Sequence, residues 1–397
     1  MRVLIAPDCF GGTLSAAEAA AAMRAGWLAG AAHDDVTALP LADGGPGFVD
    51  IVAAATGGEV TPLVVTGPLG EPVPATVLTV PGPSGVTAYV ESAQAVGLHL
   101  VPQDRRDPTR TTSVGLGELL LAARDLRATR VVVGLGGSST NDGGAGLLAG
   151  LGMAARALRG GGGGVGALTT ADLADVQAVR GALAGIDLVV AVDVDVPLLG
   201  LHGASAGFAP QKGATPEQAQ ELERALGAFA AALEEAASVG PALLPLAGGG
   251  STSVRRWAQL PGAGAAGGLG FALAVLGGRL LPGADVVADA VGLDDAAQDA
   301  DLLVTGEGTL DWQSLHGKVV AAVAQRGLAR ALPVVVVAGQ VALGRREWGA
   351  AGISGAYAVA ETPGQLGAAL ADPAGTLAER TARVARTWSR PDPTRDL

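Results

Sequence analysis

The chain has 397 residues, of which 49% are hydrophobic and 16% are charged, and its formal net charge is −12. This composition excludes a disordered protein, and the length allows two domains that each bury a core. The negative charge argues against binding to nucleic acid or to anionic membranes, because clustered Lys and Arg bind both.

Cysteine content and the N-terminal residues indicate the compartment. Cys9 is the only cysteine, which excludes an internal disulfide and fits a reducing environment. The first residues carry one arginine and soon reach Asp8, so we expect no signal peptide and a cytoplasmic protein. Residues 257–278 carry no charge, but Pro261 and many glycines favour a buried glycine-rich loop and core helix over a membrane helix.

The N-terminal third begins as alternating strands and helices and then changes character. Residues 3–6 predict a buried strand, and residues 14–28 predict a helix that Thr13 or Ser15 caps. A second strand ending at Asp43 and a helix to residue 55 follow, so we expect a parallel sheet. Residues 61–92 contain β-rich runs separated by Gly-Pro turns, which predicts an antiparallel meander.

From residue 111 the helix and strand alternation resumes. The five glycines at 160–164 predict a flexible surface turn, and residues 186–195 predict a buried strand with carboxylates at its end. Residues 301–359 form a βαβαβ pattern, and 389–397 should be disordered. We therefore predict an α/β protein in which 1–58 and 283–390 form an outer domain. Residues 59–282 form an inserted α/β domain with an antiparallel segment.

Scarce residue types mark candidate functional positions. Lys212 and Lys318 are the only lysines, and Asn141 is the only asparagine. The chain otherwise uses arginine for positive charge, yet arginine cannot replace a compact ammonium at a phosphate, and aspartate cannot donate a hydrogen bond as asparagine can. All three residues lie in glycine-containing turns, which favours a chemical requirement over chance.

Polar clusters follow four predicted strands: Asp8, residues 138–142, Asp193 with Asp195, and Glu307 with Asp311. Ligands in open α/β sheets bind at the carboxyl ends of strands, so these clusters are expected to share one cleft. A single aspartate after a strand is more often a helix cap or a turn former.

The loop "GLGGSSTNDGGAG" is the strongest local signal. Its glycines allow close approach of a ligand, its hydroxyls and amide can bind one, and the next helix offers N-terminal amides to an anion. The alternative is an elaborate helix cap made by Thr140 or Asp142. The candidate binding residues here are Gly136, Gly137, Ser138, Thr140, Asn141 and Asp142.

Two further turns and a second glycine-rich segment complete the candidate site. Lys212 precedes a helix and can stabilise charge on a transferring phosphoryl group, although a solvated lysine is the ordinary alternative. Near Lys318, the carboxylates of Glu307 and Asp311 suit Mg²⁺, although a capped helix with exposed charges is the alternative there. The glycine-rich segment contributes Gly264, Gly267 and Gly268.

Several common sites are absent from the sequence. It contains no GxxxxGK[ST] loop, its histidines lack the spacing of zinc ligands, and no histidine partner for Ser138 is evident. The first strand is followed by no GxGxxG, which disfavours a dinucleotide oxidoreductase.

Nine segments, in order, resemble the bacterial glycerate kinases of the glycerate 2-kinase type. They include "IAPDCFGGTLSAAEAAAAM", "PLADGGPGFVD", "RDPTRTTSVGLGELLLAA", "GLGGSSTNDGGAGLLAGLG", "APQKGAT", "PGAGAAGGLG" and "TGEGTLDWQSLHGK", between residue 1 and about residue 362. The resemblance implies a discontinuous Rossmann- or flavodoxin-like parallel-sheet domain with an inserted α/β domain and an active site between them. It also implies phosphorylation of D-glycerate with ATP and Mg²⁺.

Residue roles follow from this resemblance as hypotheses. Asp193 would orient or deprotonate the attacking hydroxyl, and Lys212 and Lys318 would neutralise phosphate charge. Glu307 and Asp311 would hold Mg²⁺. Asp8, Asp43, the 136–142 loop and the 262–268 glycines would position substrate and nucleotide.

The chain departs from the family pattern at four polar positions. The family usually has lysine where this chain has Gly11, a carboxylate at Pro46, asparagine at Val196 and arginine at Thr309. Two alternatives to a glycerate kinase therefore stand: a paralogue that phosphorylates another small hydroxy acid, and a ligand sensor without catalysis. The expected partner is a small molecule, and the sequence leaves open whether the protein forms a homodimer.

Overall fold

The computed structural model of the chain describes residues 1–238 and 256–390. Most of the predicted disordered tail, residues 391–397, lies outside the described residues. Within the described residues, the strands are β1 (Arg2–Ile5), β2 (Asp35–Ala38), β3 (Glu59–Thr66), β4 (Pro72–Gly82), β5 (Gly85–Glu91), β6 (Ala128–Leu135), β7 (Asp187–Val192), β8 (Arg279–Pro282), β9 (Leu302–Thr305), β10 (Thr309–Leu310), β11 (Val334–Ala338), β12 (Gln340–Val341) and β13 (Gly355–Ala358).

The helices alternate with these strands along much of the chain. In the described ranges they are α1 (Ala16–Gly30), α2 (Phe48–Thr56), α3 (Ala93–Val96), α4 (Val114–Asp125), α5 (Ala145–Gly150), α6 (Val176–Ala182), α7 (Ala204–Phe208), α8 (Pro216–Ser238), α9 (Ala265–Val275), α10 (Gly283–Ala290), α11 (Leu293–Ala296), α12 (Val319–Ala329), α13 (Arg345–Ala350), α14 (Pro363–Ala371) and α15 (Pro373–Trp388).

The chain folds into two compact units, each built from separate segments of the sequence. The first unit contains Met1–Asp43, Asp50–Thr56 and the chain from Pro282 onward. The second unit contains Gly44–Val49 and Gly57–Leu281.

The first unit contains a parallel sheet of order β13-β11-β9-β1-β2. Its central strands are runs of buried valine, leucine and isoleucine, as expected for strands covered on both faces. Helix α1 begins at a capping box in which Ser15 and Glu18 exchange hydrogen bonds, and it buries Met23 and Trp27 in the core. All strands point the same way, so their carboxyl ends lie along one edge of the sheet.

The second unit contains a mixed sheet of order β3-β4-β5-β6-β7-β8. Strands β3, β4 and β5 form the predicted antiparallel meander, whereas β5, β6 and β7 pair in parallel. Their inward valines and leucines pack with α4, α5 and α9 in one hydrophobic core. The two sheets confirm the predicted α/β class with predominantly parallel sheets.

Two local expectations can be compared with the structure. Within the predicted glycine-rich segment at 257–278, α9 covers only Ala265–Val275, and no helix in 1–238 or 256–390 has the length and hydropathy to cross a membrane. Of the surface turn predicted at 160–164, Gly160 and Gly163 are exposed and residues 162–164 form a turn, but the prediction is wrong for Gly161 and Gly162, which are buried. A Cβ on Gly162 would lie 2.4 Å from the Asn141 carbonyl oxygen, so this close approach requires glycine.

Candidate functional site

The first unit has a cavity of about 420 Å³ at the carboxyl ends of its parallel strands. We call it the first-unit pocket. Open α/β sheets bind ligands at this edge, where the loops leave the strands. The carboxylates of the pocket and Lys318 interact with one another, and we call their part of the pocket the polar end. Helices α14 and α15 contribute apolar side chains, which we call the apolar wall. The lining residues discussed below are Asp8, Cys9, Gly11, Asp43, Glu307, Asp311, Lys318, Gln340, Val359, Leu366, Ala369, Leu370, Pro373 and Leu377.

Carboxylates dominate the electrostatics of the polar end. Burial and, to a smaller extent, the charges of Asp43 and Glu307 raise the pKa of Asp8 to about 7, against the hydrogen bonds from Cys9. Burial also raises the pKa of Glu307 to about 7, against a hydrogen bond with Ser314 and the charge of Lys318. Glu307 is only 8% exposed, and its Oε1 has no hydrogen-bond partner among the described residues. The polar end therefore contains a buried acceptor oxygen, Glu307 Oε1, that a ligand can use.

Asp311 and Lys318 occupy different positions in the same pocket. The Oδ1 atom of Asp311 accepts the backbone N–H groups of Gln313 and Ser314 at 2.8 and 3.3 Å, so one of its oxygens fixes the loop after β10. Lys318 is the N-cap residue of α12 and lies half-exposed at the start of that helix. The backbone of Lys318 therefore marks the N-terminus of α12, where helix amides favour anions, and its charge acts on the nearby Glu307.

The donors at the polar end fit Mg²⁺. This ion is usually held by one or two carboxylates, with phosphate and water oxygens completing an octahedron. Glu307 supplies a buried oxygen without a partner, and Asp8 and Asp43 add charge next to it. No group of three or more His, Cys, Asp or Glu side chains is arranged to hold a metal in the parts of the chain that the structure describes. A bound Mg²⁺ would therefore need oxygens from a ligand as well.

Cys9 and Gly11 line this pocket, and Gly11 lies where the family usually has lysine. The Cys9 side chain is exposed, yet desolvation and the charges of Asp8 and Asp43 raise its pKa to about 12. A Cβ built on Gly11 meets no atom within 4 Å. The space that a longer side chain would occupy is therefore open in this chain.

The second unit holds Lys212 in a closed environment. Lys212 is 3% exposed, and its Nζ donates to Ser138 Oγ at 2.9 Å and to the Thr140 carbonyl oxygen at 2.7 Å. Burial lowers the pKa of Lys212 to about 7, while the charges of Asp142 and Asp193 oppose that shift. Asp193 follows β7 and is half-buried. The structure thus brings together five of the predicted residues, Ser138, Thr140, Asp142, Asp193 and Lys212, from three separate segments.

Asp142 is fully buried and makes internal hydrogen bonds. Its carboxylate accepts the backbone N–H of Ser113 at 2.9 Å, the Ser113 hydroxyl, and the N–H groups of Gly144 and Gly146. Burial raises the pKa of Asp142, and these hydrogen bonds oppose the shift. Asn141 Nδ2 donates to Ser205 Oγ at 3.1 Å, while Asn141 Oδ1 and Thr140 Oγ1 have no partner among the described residues. The loop therefore combines internal capping with buried polar atoms that are not satisfied.

The predicted glycines let protein segments approach each other. Gly267 has a φ of +72°, and a Cβ there would lie 1.9 Å from the Thr140 carbonyl oxygen. The N–H of Gly143 donates to the Gly267 carbonyl oxygen at 3.0 Å, which joins the two loops. Added Cβ atoms at the other four predicted glycines, Gly136, Gly137, Gly264 and Gly268, would also crowd neighbouring protein atoms. These glycines shape the loop around Lys212 by close packing.

Comparison with known proteins gives the family. The sequence pattern of the glycerate kinase family matches residues 3–389. The chain belongs to the glycerate kinase family. It is 44% identical to a glycerate kinase of Bacillus subtilis over 346 residues, which cover 86% of this chain and 85% of that protein.

Two further comparisons agree with membership of this family. The chain is 41% identical over 344 residues to the glycerate 2-kinase of Escherichia coli, covering 86% of each protein. The crystal structure of a Salmonella typhimurium LT2 protein assigned as glycerate kinase 2 superposes with a TM-score of 0.75 at 36% identity, covering 98% of both chains. Membership of the glycerate kinase family implies ATP-dependent phosphorylation, so the resemblance read from the sequence is confirmed.

The sequence analysis did not identify some residues of the first-unit pocket and of the surroundings of Lys212. Ser113 binds Asp142 although 29 positions separate them, and only its place before a helix gave any signal. The apolar residues of α14 lie near the C-terminus, where their i, i+3, i+4 spacing predicts an amphipathic helix but no ligand. Gln340 follows a buried strand, as the predicted candidates do, and that signal would have found it.

Proposed function

We propose that this protein transfers the γ-phosphoryl group of ATP to D-glycerate, forming a phosphoglycerate. The observation that carries the proposal is the family match over residues 3–389. The pocket carboxylates and the buried lysine add support, because phosphoryl transfer depends on positioning and on neutralising phosphate charge.

In the first unit we assign phosphate and metal binding. Glu307 would hold Mg²⁺ through its buried oxygen without a partner, with Asp311, Asp8 and Asp43 contributing charge around it. Bound Mg²⁺ would supply charge neutralisation on the phosphates. Lys318 would bind a phosphate oxygen at the start of α12, where helix amides favour negative charge.

In the second unit we assign the groups that act on the acceptor hydroxyl. A hydroxyl oxygen of glycerate bonds to the γ-phosphorus, the bond from that phosphorus to the bridging oxygen of ADP breaks, and the proton passes to the Asp193 carboxylate. Lys212 would stabilise the charge that develops on the transferred group. A phosphate next to its amine raises the pKa of Lys212, so the amine is protonated when the phosphate is present.

The remaining second-unit residues act by position in this proposal. Asp142 holds the loop through its hydrogen bonds to Ser113 and to the start of α5. That loop presents Ser138 and Thr140 to Lys212. Close packing at Gly136, Gly137, Gly264, Gly267 and Gly268 fixes this loop, and the Asn141 amide oxygen would accept from a ligand.

A second acceptor is a specific alternative. The open space beside Gly11, where the family usually has lysine, favours an acid that needs different contacts from those of glycerate. We further propose a cytoplasmic location, which fits the single exposed thiol of Cys9. A homodimer is proposed as the assembly, which light scattering after gel filtration would test.

The decisive experiment incubates the purified protein with ATP, Mg²⁺ and D-glycerate and follows products by phosphorus NMR. We expect ADP and a phosphoglycerate in equal amounts, and the chemical shift and coupling identify the hydroxyl. A panel of other hydroxy acids is run in parallel. Product from another acid but not from glycerate would favour the second acceptor, and ligand-dependent thermal stabilisation without any product would favour a sensor.

A further inference from the structure

The lining of the first-unit pocket contains apolar side chains as well as carboxylates. The apolar wall consists of α14 residues at helical spacing, residues of the following α15 and the residue after β13. Leu366, Ala369 and Leu370 share one face of α14 because they lie at i, i+3 and i+4. The residues of this apolar wall are Val359, Leu366, Ala369, Leu370, Pro373 and Leu377.

Part of this wall is left uncovered by the described residues. Leu377 is fully buried and forms the floor, whereas Leu370 is 56% exposed although it faces a cavity. Helix α14 contains no buried residue at all. An exposed apolar face that continues into a polar cavity is typical of a ligand site.

The chemistry of the reactants decides what fits this wall. Glycerate is a three-carbon acid whose surface is carboxylate and hydroxyl, so it gains little from apolar contact. ATP has a charged triphosphate at one end and a flat purine at the other, and the purine gains from apolar burial. The lining of the pocket offers both kinds of contact, with Lys318 at the start of α12 beside the carboxylates and apolar side chains from α14 and α15.

We infer that the apolar wall of α14 and α15 binds the purine base of ATP while Lys318 and the carboxylate end take the triphosphate. This inference rests on the proposed function and adds the base subsite to it. The Gln340 side chain is exposed in the same cavity and makes no hydrogen bond within the described residues. Its amide can both donate to and accept from the edge of a purine.

Equilibrium binding separates the base from the phosphates. Dissociation constants of ATP and of inorganic tripolyphosphate are measured by calorimetry at fixed Mg²⁺ for the wild type and for Leu370→Asn. The asparagine removes apolar contact without adding charge. We expect the dissociation constant of ATP to rise about tenfold and that of tripolyphosphate to stay unchanged.

Leu328→Asn is the matched control, because Leu328 is a helical leucine of the same unit with 59% exposure that does not line the pocket. It should leave both constants unchanged. Leu366→Asn is a second variant of the wall and should act in the same direction as Leu370→Asn. Circular dichroism confirms that each variant is folded.

The outcomes separate this inference from the proposed function. Unchanged ATP affinity in both wall variants, or equal weakening of ATP and tripolyphosphate, overturns the base subsite even if the wild type phosphorylates glycerate. Selective loss of ATP affinity supports it even if no glycerate product forms, in which case only the proposed function fails.

Discussion

The first-unit pocket and the surroundings of Lys212 differ in how completely their buried charged groups are hydrogen-bonded. In the pocket, carboxylates lie together and Glu307 keeps an oxygen without a partner among the described residues. Around Lys212, the ammonium is bonded to Ser138 and Thr140, and Asp142 is fully used by backbone and hydroxyl donors. The first arrangement has capacity left for a ligand, whereas the second is assembled in advance.

Both regions contain groups with a pKa of about 7, reached by a raised carboxyl pKa in the pocket and by a lowered amine pKa at Lys212. Desolvation disfavours the charged form, so it raises the pKa of Asp8 and Glu307 and lowers the pKa of Lys212. Groups that titrate near neutrality are typical of functional sites, because they can change protonation when a ligand arrives. The following experiments alter one region at a time.

The largest effect is expected from Lys212→Met. The side chain keeps its length and loses its charge, so stabilisation of the transferring phosphoryl group is lost. We expect kcat for glycerate phosphorylation to fall about 100- to 1000-fold. Ser138→Ala is the control, because it keeps the ammonium and removes one acceptor, and it should cost much less. Unchanged turnover in a folded Lys212→Met protein would refute the proposed role.

Asp142→Asn tests whether the second region is held by its internal hydrogen bonds. The amide nitrogen replaces a carboxylate oxygen that accepts from Ser113, Gly144 or Gly146, so a buried donor loses its partner. We expect the free energy of unfolding to fall by about 2 kcal/mol in urea titrations. Asp195→Asn, at an exposed position after β7, should change it little. Equal stability of the two variants would contradict the structural role.

Glu307→Gln tests the first region. The substitution keeps the shape and removes a charge from the carboxylate end, so Mg-ATP should bind less well. We expect kcat/KM for ATP to fall about tenfold and the Mg²⁺ concentration for half-maximal rate to rise. Glu379→Gln, on the exposed side of α15, is the control. A Mg²⁺ requirement identical to that of the wild type would argue against Glu307 as a metal residue.

The smallest effect is on the pH dependence of stability. Asp8 and Glu307 have raised pKa values in the folded protein, because burial favours their protonated forms. The free energy of unfolding is therefore highest below their ordinary pKa values of 3.8 and 4.5, and it falls as the pH rises to about 7. Lys212 has a lowered pKa, so stability is lost as pH falls from 10.5 to about 7. These losses should lower the melting temperature by a few degrees.

Calorimetric scans of the variants at several pH values show which region causes each change of melting temperature with pH. Glu307→Gln should reduce the loss between pH 4.5 and 7, and Lys212→Met should reduce the loss between pH 10.5 and 7. If both variants kept the wild-type dependence of melting temperature on pH, other titrating groups would be responsible for it.

The comparison also explains how far the sequence could predict the site. Asp8 and Glu307 were identified because side chains after parallel strands collect at one edge, a rule that depends on local pattern alone. Lys212 was identified by scarcity. The bond between Asp142 and Ser113 depends on how α4 packs against α5, which no local pattern contains. The close contact of Gly267 with the Thr140 backbone also depends on the packing of distant segments, so the local sequence does not predict it.

The α/β class and the meander followed from periodicity, because apolar strands and helices differ in their repeats. The buried glycines at 161 and 162 were misjudged because a glycine run has the same composition in a mobile turn and in a tightly packed one. The α14 wall was missed because exposed leucines at helical spacing look the same whether a ligand or solvent covers them.

The position of Cys9 has a practical consequence for spectroscopy. It is the chain's single cysteine, it is exposed, and it lies in the loop that lines the first-unit pocket, so one fluorophore attached there would report on ligand entry without any engineered site. With a pKa of about 12, the thiol is almost entirely protonated at neutral pH and reacts slowly with alkylating reagents. A ligand that brings positive charge to Asp8 should lower that pKa, and the labelling rate itself would then measure occupancy.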